Sequence, residues 1–305
     1  MAQYECIFDS EATVQRYERL RFISTAVLCN CAKLILNQSN DCHNSGDRRI
    51  LDAGSGSGRF AFPIMQFAGE CERRIYLVAM DLSIQMMQKL LNKYDCTIIP
   101  KCIELVPVVA DICKSLPLKP ESITVALTVA TFHILNLWRE ASVNVVETII
   151  PSGSFVVIQE NNQFMHQTEG FLHDSDFPYL DEALSEFMHY YHWLRMRLGH
   201  PYKPKELRYS DMAALLDYLE AIGLKRCNTS INEEAFKWQK PHTYADILHC
   251  FRHRQMTTWG SELKEETRQI IADSLKHWVI DHGINVEEEF LLPAELVPHI
   301  FVKVK

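Results

Sequence analysis

The sequence predicts an α/β protein in which a mostly parallel sheet carries helices on both faces. Short apolar runs alternate with helix-spaced segments, and the first three runs close on Gly54, Asp81 and Asp111. The composition agrees: 305 residues, 47% hydrophobic and 23% charged, supply a large core and exclude collagen-like, disordered or coiled-coil chains.

From Glu11 to Leu36 no Gly or Pro interrupts apolar residues at three- and four-residue steps, which predicts one amphipathic helix or two. The polar stretch Asn37 to Arg49 reads as a loop. Strands are then expected at Ile50–Ala53, Ile75–Met80, Leu105–Ala110, Ile123–Val129 and Ser154–Gln159. Helices should fill Phe60–Phe67, Ile84–Tyr94 with Ser83 as N-cap, and Asn136–Ile150. Right-handed crossovers between such strands make the sheet parallel.

After Glu160 the rhythm changes. Asn161–Pro178 is loop-like, and Tyr179–Leu198 is a helix rich in aromatics, among them Phe187, Tyr190, Tyr191 and Trp193. Ser210 can cap a helix Asp211–Ile222 that Gly223 stops, Leu224–Ile231 reads as a strand, and helices Tyr244–Met256 and Glu262–Trp278 precede a last strand, Ile300–Val304. With no repeat or linker, the chain is read as one domain over 1–305. A helical cap spans 1–46, a core 47–160, a helical insertion or substrate lid 161–223, and strands and helices completing the sheet 224–305.

Lys and Arg total 31 against 39 Asp and Glu, a formal net charge of −8 that disfavours a nucleic-acid partner. The 10 cysteines form no C-x-x-C pair, and the N-terminal residues lack a signal-peptide pattern. No run is long enough for a membrane span. These features suit a cytoplasmic, reducing compartment with no membrane partner. Among 13 histidines there is no H-E-x-x-H, and no metal is expected.

The most informative stretch is Ile50-Leu51-Asp52-Ala53-Gly54-Ser55-Gly56-Ser57-Gly58. Alternate glycines permit a tight turn and close approach of a ligand to the backbone. Arg59 stands where a dinucleotide fingerprint requires its third glycine, and no Gly-Lys-Ser/Thr of a phosphate loop follows. Asp52 would repel a phosphate, so the ligand is cationic or neutral. Asp81, closing the second strand, is placed to take two ribose hydroxyls, and Asp111, closing the third, can accept from a purine amine. Together they suit an adenosine bearing a positive tail.

These residues resemble the class I, Rossmann-like S-adenosylmethionine-dependent methyltransferases over roughly 47 to 160. Leu51 to Gly58 stands as the glycine motif and Val78-Ala79-Met80-Asp81-Leu82-Ser83 as the second. Ala110-Asp111-Ile112 with Leu116-Pro117-Leu118 stands as the third, Ser122 to Leu135 as the fourth strand and its exit, and Pro151-Ser152-Gly153 in place of Pro-Gly-Gly. The resemblance implies a seven-stranded sheet and S-adenosylmethionine as cofactor. It implies that Asp52, Gly54, Ser55, Gly56 and Gly58 line the methionine part, that Asp81 holds the ribose, and that Leu82 and Met86 flank adenine. Asp111 and Ile112 would meet the adenine edge, Thr128 and Val129 would lie beneath the methionyl group, and Tyr17 and Arg21 would close over the cofactor. Thr124 stands where many relatives carry Asp.

In methyl transfer the sulfonium is already a strong electrophile, so alignment and exclusion of water supply much of the rate and a base is optional. His133, just beyond the fourth strand, and Glu160, His166 and His173 beyond the fifth are the candidate proton acceptors. The aromatic helix reads either as core or as a lid over the acceptor. The expected function is methylation of an O or N atom of a small organic molecule, releasing S-adenosylhomocysteine. The alternatives are RNA or protein methylation, supported by the basic stripe Arg195, Arg197, Lys203, Lys205 and Arg208, and a non-catalytic binding or scaffold protein that keeps the fold.

Overall fold

The structure is a computed structural model that describes residues 18, 21–40, 47–68, 74–162, 182–200, 212–227, 231–253 and 263–304. Its first half follows the expected alternation: helix α1 (Thr25–Asn40), strand β1 (Arg48–Ala53), α2 (Ala61–Ala68), β2 (Ile75–Asp81), α3 (Ile84–Asp95), β3 (Ile103–Val109), β4 (Ile123–Val129), α4 (Trp138–Thr148) and β5 (Ile149–Asn162). Then come α5 (Glu182–Arg197), α6 (Met212–Ala221), β6 (Leu224–Arg226), β7 (Lys237–Thr243), α7 (Tyr244–His253), α8 (Glu265–Asp281) and β8 (Glu289–Lys303).

The strands form one sheet in the order β3-β2-β1-β4-β5-β8-β6, with β7 paired to β8 off this path. Strands β1 to β5 are parallel, and β8 runs antiparallel to β5, β6 and β7. The seven expected strands are all present, and β7 adds an eighth. β8 is also far longer than the expected Ile300–Val304. Its second half pairs with β5, and its first half, Glu289–Glu295, projects to carry β7.

Each face of the sheet has its own core. Ile50, Leu77, Ala79, Val125 and Leu127 pack beneath α1, α2 and α3, whereas Leu51, Ala53, Met80, Ala126 and Phe155 pack beneath α4 and α6. Burial on both faces explains why Ile50, Leu51 and Ala53 of β1 are all apolar rather than alternating with exposed residues. At its start Thr124, the departure from the family's Asp, clips β1 to β4: its hydroxyl donates to the Arg49 carbonyl at 2.8 Å and accepts from the Arg49 amide at 3.1 Å. Ser83 caps α3, its Oγ accepting from the Met86 amide at 3.2 Å.

Of the one helix or two expected over Glu11–Leu36, the described residues fit two: Glu18 is helical, Arg21–Ser24 are not, and α1 begins at Thr25, with the Val27 amide donating to Ser24 Oγ at 3.4 Å. The sixth strand ends at Arg226 rather than Ile231, because it pairs on one side only. Ser210 lies outside the described residues.

A third core joins α5, α7, α8 and the first half of β8 through Phe187, Tyr191, Tyr244, Phe251, Leu275 and Phe290. Phe187 meets Tyr244 and Trp278 edge-on at 5.3 and 5.7 Å between ring centroids. The aromatic helix therefore faces a core of its own. Arg195 is also buried, donating to Tyr191 Oη and to the His200 carbonyl, both at 3.1 Å, so it belongs to no basic surface stripe. Lys203, Lys205 and Arg208 lie outside the described residues. No helix among the described residues is long and apolar enough to cross a membrane.

Candidate cofactor and methyl-transfer site

The site grows from the point where β1 stops. The amides of Gly54 and Ser55 both donate to the Met80 carbonyl, at 2.8 and 2.9 Å, which folds the turn across the end of β2. Gly54 has φ +86° and touches Thr131 so closely that a Cβ would lie 2.3 Å from its Oγ1, so only glycine fits.

This turn brings Gly56 to Asp81. The Gly56 amide donates to Asp81 Oδ2 at 2.8 Å and the Ser83 amide to Oδ1 at 2.9 Å, orienting the carboxylate with acceptor sites to spare for a diol. Asp111 is fixed in the same way, accepting from the Cys113 amide at 3.0 Å. Beyond β4, Ala130 adopts a left-handed φ of +48° at the cavity wall, a strained conformation of the kind that clusters at functional sites.

One cavity gathers most of the expected cofactor residues: Gly54, Ser55, Gly56, Asp81, Leu82, Met86, Asp111, Ile112, Val129 and Arg21 line it, together with Glu160. Gly58 lines a neighbouring groove instead. Asp52 and Thr128 are 2% and 1% exposed, and neither Asp52 Oδ2 nor Thr128 Oγ1 has a hydrogen-bond partner among the described residues. Burial, reinforced by the charge of Asp81, pushes the Asp52 carboxyl up to about 7.

Glu160 has a different environment. Its Oε1 accepts from Lys240 Nζ at 3.0 Å and its Oε2 lies 3.5 Å from the Arg21 guanidinium. Burial alone would raise this carboxyl, but Lys240, Arg21 and Arg59 outweigh burial and hold it well below the ordinary carboxylate range. A carboxylate so held is a poor proton acceptor at neutral pH, which corrects its candidacy as a base. His133 occupies the short turn Phe132–Ile134 between cavity-lining Thr131 and Ile134, but its side chain lies outside the description. His166, His173 and Tyr17 also lie outside the described residues.

Sequence reasoning missed Arg59, Thr131 and Lys240. Arg59 directly follows the glycine motif and was readable as a cation beside it. Lys240 carried no signal, because a lone lysine in a polar stretch is ordinarily solvated.

The arrangement is an α/β domain with a largely apolar cavity that carries the oriented carboxylates of Asp81 and Asp111. The orphaned Asp52 oxygen, the oriented Asp81 carboxylate and the glycine cradle fit S-adenosylmethionine. Residues 51–157, about a third of the chain, match the family model described as "Methyltransferase domain", a match that supports S-adenosylmethionine as the cofactor of this segment. No curated protein sequence matches the chain. Among solved structures, the chain is similar to YcgJ from Bacillus subtilis, with 14% identity, 92% of this chain and 98% of that chain covered, and a TM-score of 0.48. It is also similar to geranyl diphosphate C-methyltransferase from Streptomyces coelicolor, with 11% identity, coverage of 90% and 76%, and a TM-score of 0.42.

Proposed function

We propose that this protein methylates an O or N atom of a small organic acceptor in a cytoplasmic setting, releasing S-adenosylhomocysteine. The observation that carries the reading is the paired-amide grip on Asp81 beside a buried Asp52 oxygen that has no partner among the described residues. The net charge of −8 and the burial of Arg195 favour a small acceptor over RNA.

When bound, S-adenosylmethionine supplies a methyl group on a sulfonium. The chain's own residues bind and orient it. Asp81 takes the ribose hydroxyls, Asp111 and Ile112 take the adenine edge, Leu82 and Met86 flank the ring, and Asp52 compensates the positive charge from behind Gly54 and Ser55. Thr128 and Val129 floor the methionyl end. Phe60, Ile134 and Leu135, also lining the cavity, exclude water from it. Where the acceptor must lose a proton, His133 and His166 are the proposed acceptors, with the segment 161–223 proposed to cover the acceptor.

Incubation of the protein with a labelled methyl donor and fractions of a metabolite extract tests the reading. Label appearing in a small, salt-independent product supports it. Label entering RNA or protein instead, or a protein that binds the cofactor without turning it over, contradicts it.

A further inference from the structure

Lys240 is the feature of the molecule that the methyl-transfer reading leaves unused. It is 1% exposed, although lysine is among the side chains least often buried. It comes from β7, the strand added to the expected sheet, where Trp238 and Lys240 both point inward. β7 pairs with β8, whose far half pairs with β5, and β7 also meets the cofactor half directly: Trp238 packs in the first core and donates its indole N–H to the Phe22 carbonyl at 3.1 Å. The arm thus places one ammonium against Glu160 near the end of β5, and Glu160 lines the cofactor cavity and engages Arg21, which lines it too.

The chain of contacts is directional. Lys240 is too deeply buried to line the cavity, whereas Arg21, in the non-helical stretch before α1, has its long side chain held at the cavity wall by Glu160. Without Lys240, a buried carboxylate would lose the nearer of its two ion-pair partners among the described residues, and the restraint on Arg21 would loosen. A guanidinium fixed at that wall suits a carboxylate on the ligand, and the amino-acid end of the cofactor carries one.

We infer that Lys240 is a positioning residue: through Glu160 it fixes Arg21 to receive the amino-acid carboxylate of the cofactor, so that the β7–β8 arm tunes cofactor affinity from outside the nucleotide-binding half. The inference rests on the methyltransferase reading of the cavity. Among the described residues, the charged and titratable groups around Glu160 are Lys240 and His242 from β7, Arg21 from the segment before α1, and Arg59 from the glycine turn. In the wild type burial, helped by the charge of Lys240 and opposed by Glu160, pushes His242 down to about 3.

Two ligands separate positioning from general damage. S-adenosylhomocysteine carries the amino-acid group, and 5′-methylthioadenosine shares the nucleoside but lacks that group. Calorimetry on Lys240→Met should show S-adenosylhomocysteine affinity down by about tenfold or more, the size expected when a charged hydrogen-bond network is broken, with 5′-methylthioadenosine affinity within about twofold of wild type. The ratio to wild type should widen as pH falls from about 8 to about 5.5, because Glu160 in the variant becomes able to take a proton. Lys240→Arg should restore most of the loss.

The double variant Glu160→Gln/Lys240→Met removes both buried charges and guards against a folding failure. It should recover thermal stability while keeping the weakened S-adenosylhomocysteine binding. Equal loss for both ligands, or wild-type affinity in the double variant, overturns the inference and leaves the cofactor site standing. A wild-type protein that binds neither ligand removes the site and the inference together.

Discussion

The cofactor half, β1 to β5, and the region from α5 to β8 are built by different rules. In the first half, the partners that build the site lie within one strand-helix-strand unit: Gly54 and Ser55 bond to the end of β2, Gly56 and Ser83 hold Asp81, and Ser83 caps α3. In the second, partners are remote. Phe187 packs on Tyr244 and Trp278, and Lys240 finds Glu160 across 80 positions. A binding site built from local turns is legible and rigid, whereas one supported by remote contacts depends on the whole arrangement being in place.

The strongest way to break this comparison is Phe187→Ala. Phe187 is fully buried in the third core, and its truncation should cost about 3–5 kcal/mol. Hydrogen exchange should then accelerate in α5, α7 and α8 while β1 to β4 keep their protection. Uniform acceleration across both regions would erase the distinction.

A second variant sharpens the electrostatics of the cofactor half. The folded-state carboxyl of Asp52 lies near 7 against an ordinary 3.8, so the folded protein holds an extra proton between those values, and unliganded stability falls as pH rises from about 4 to about 7. A cationic ligand prefers the ionised form, so cofactor affinity should rise several-fold between about pH 6 and 8. Asp52→Asn should flatten both dependences and, at about pH 8, raise the melting temperature of the unliganded protein by roughly 4 °C. A wild-type affinity independent of pH would contradict the placement of Asp52 beside the ligand's positive charge.

The smallest effect concerns Ser152, a non-glycine residue at φ +63° where the family usually has glycine. Ser152→Gly relieves a left-handed conformation and should stabilise by about 0.5–1 kcal/mol, read as a small rise in denaturation midpoint with unchanged cofactor binding. A destabilised variant would show that the serine side chain contributes more than its backbone costs.

The same contrast explains what the sequence could disclose. Asp52, Asp81 and the alternate glycines were readable because the turn demands left-handed backbone at Gly54, Gly56 and Gly58, and all three have positive φ. The N-cap at Ser83 and the stop at Gly223 follow equally local chemistry. β7 was hidden because one of its inward residues is Lys240, so the alternation reads as polar. β8 was shortened in the reading because Pro293 and Pro298 interrupt its pattern, although both residues fall within the paired strand. Glu160 lies within β5 rather than beyond it, on the cavity wall, and sequence position cannot show the cations that surround it.

The central claim is that the glycine turn and Asp81 hold an adenosyl ligand. Calorimetric titration of S-adenosylhomocysteine into wild type and Asp81→Ala tests it directly. The account requires saturable one-site binding to the wild type and a loss of about 100-fold in the variant, the consequence of removing charged hydrogen bonds to a diol. A folded Asp81→Ala protein that binds with wild-type affinity would contradict it.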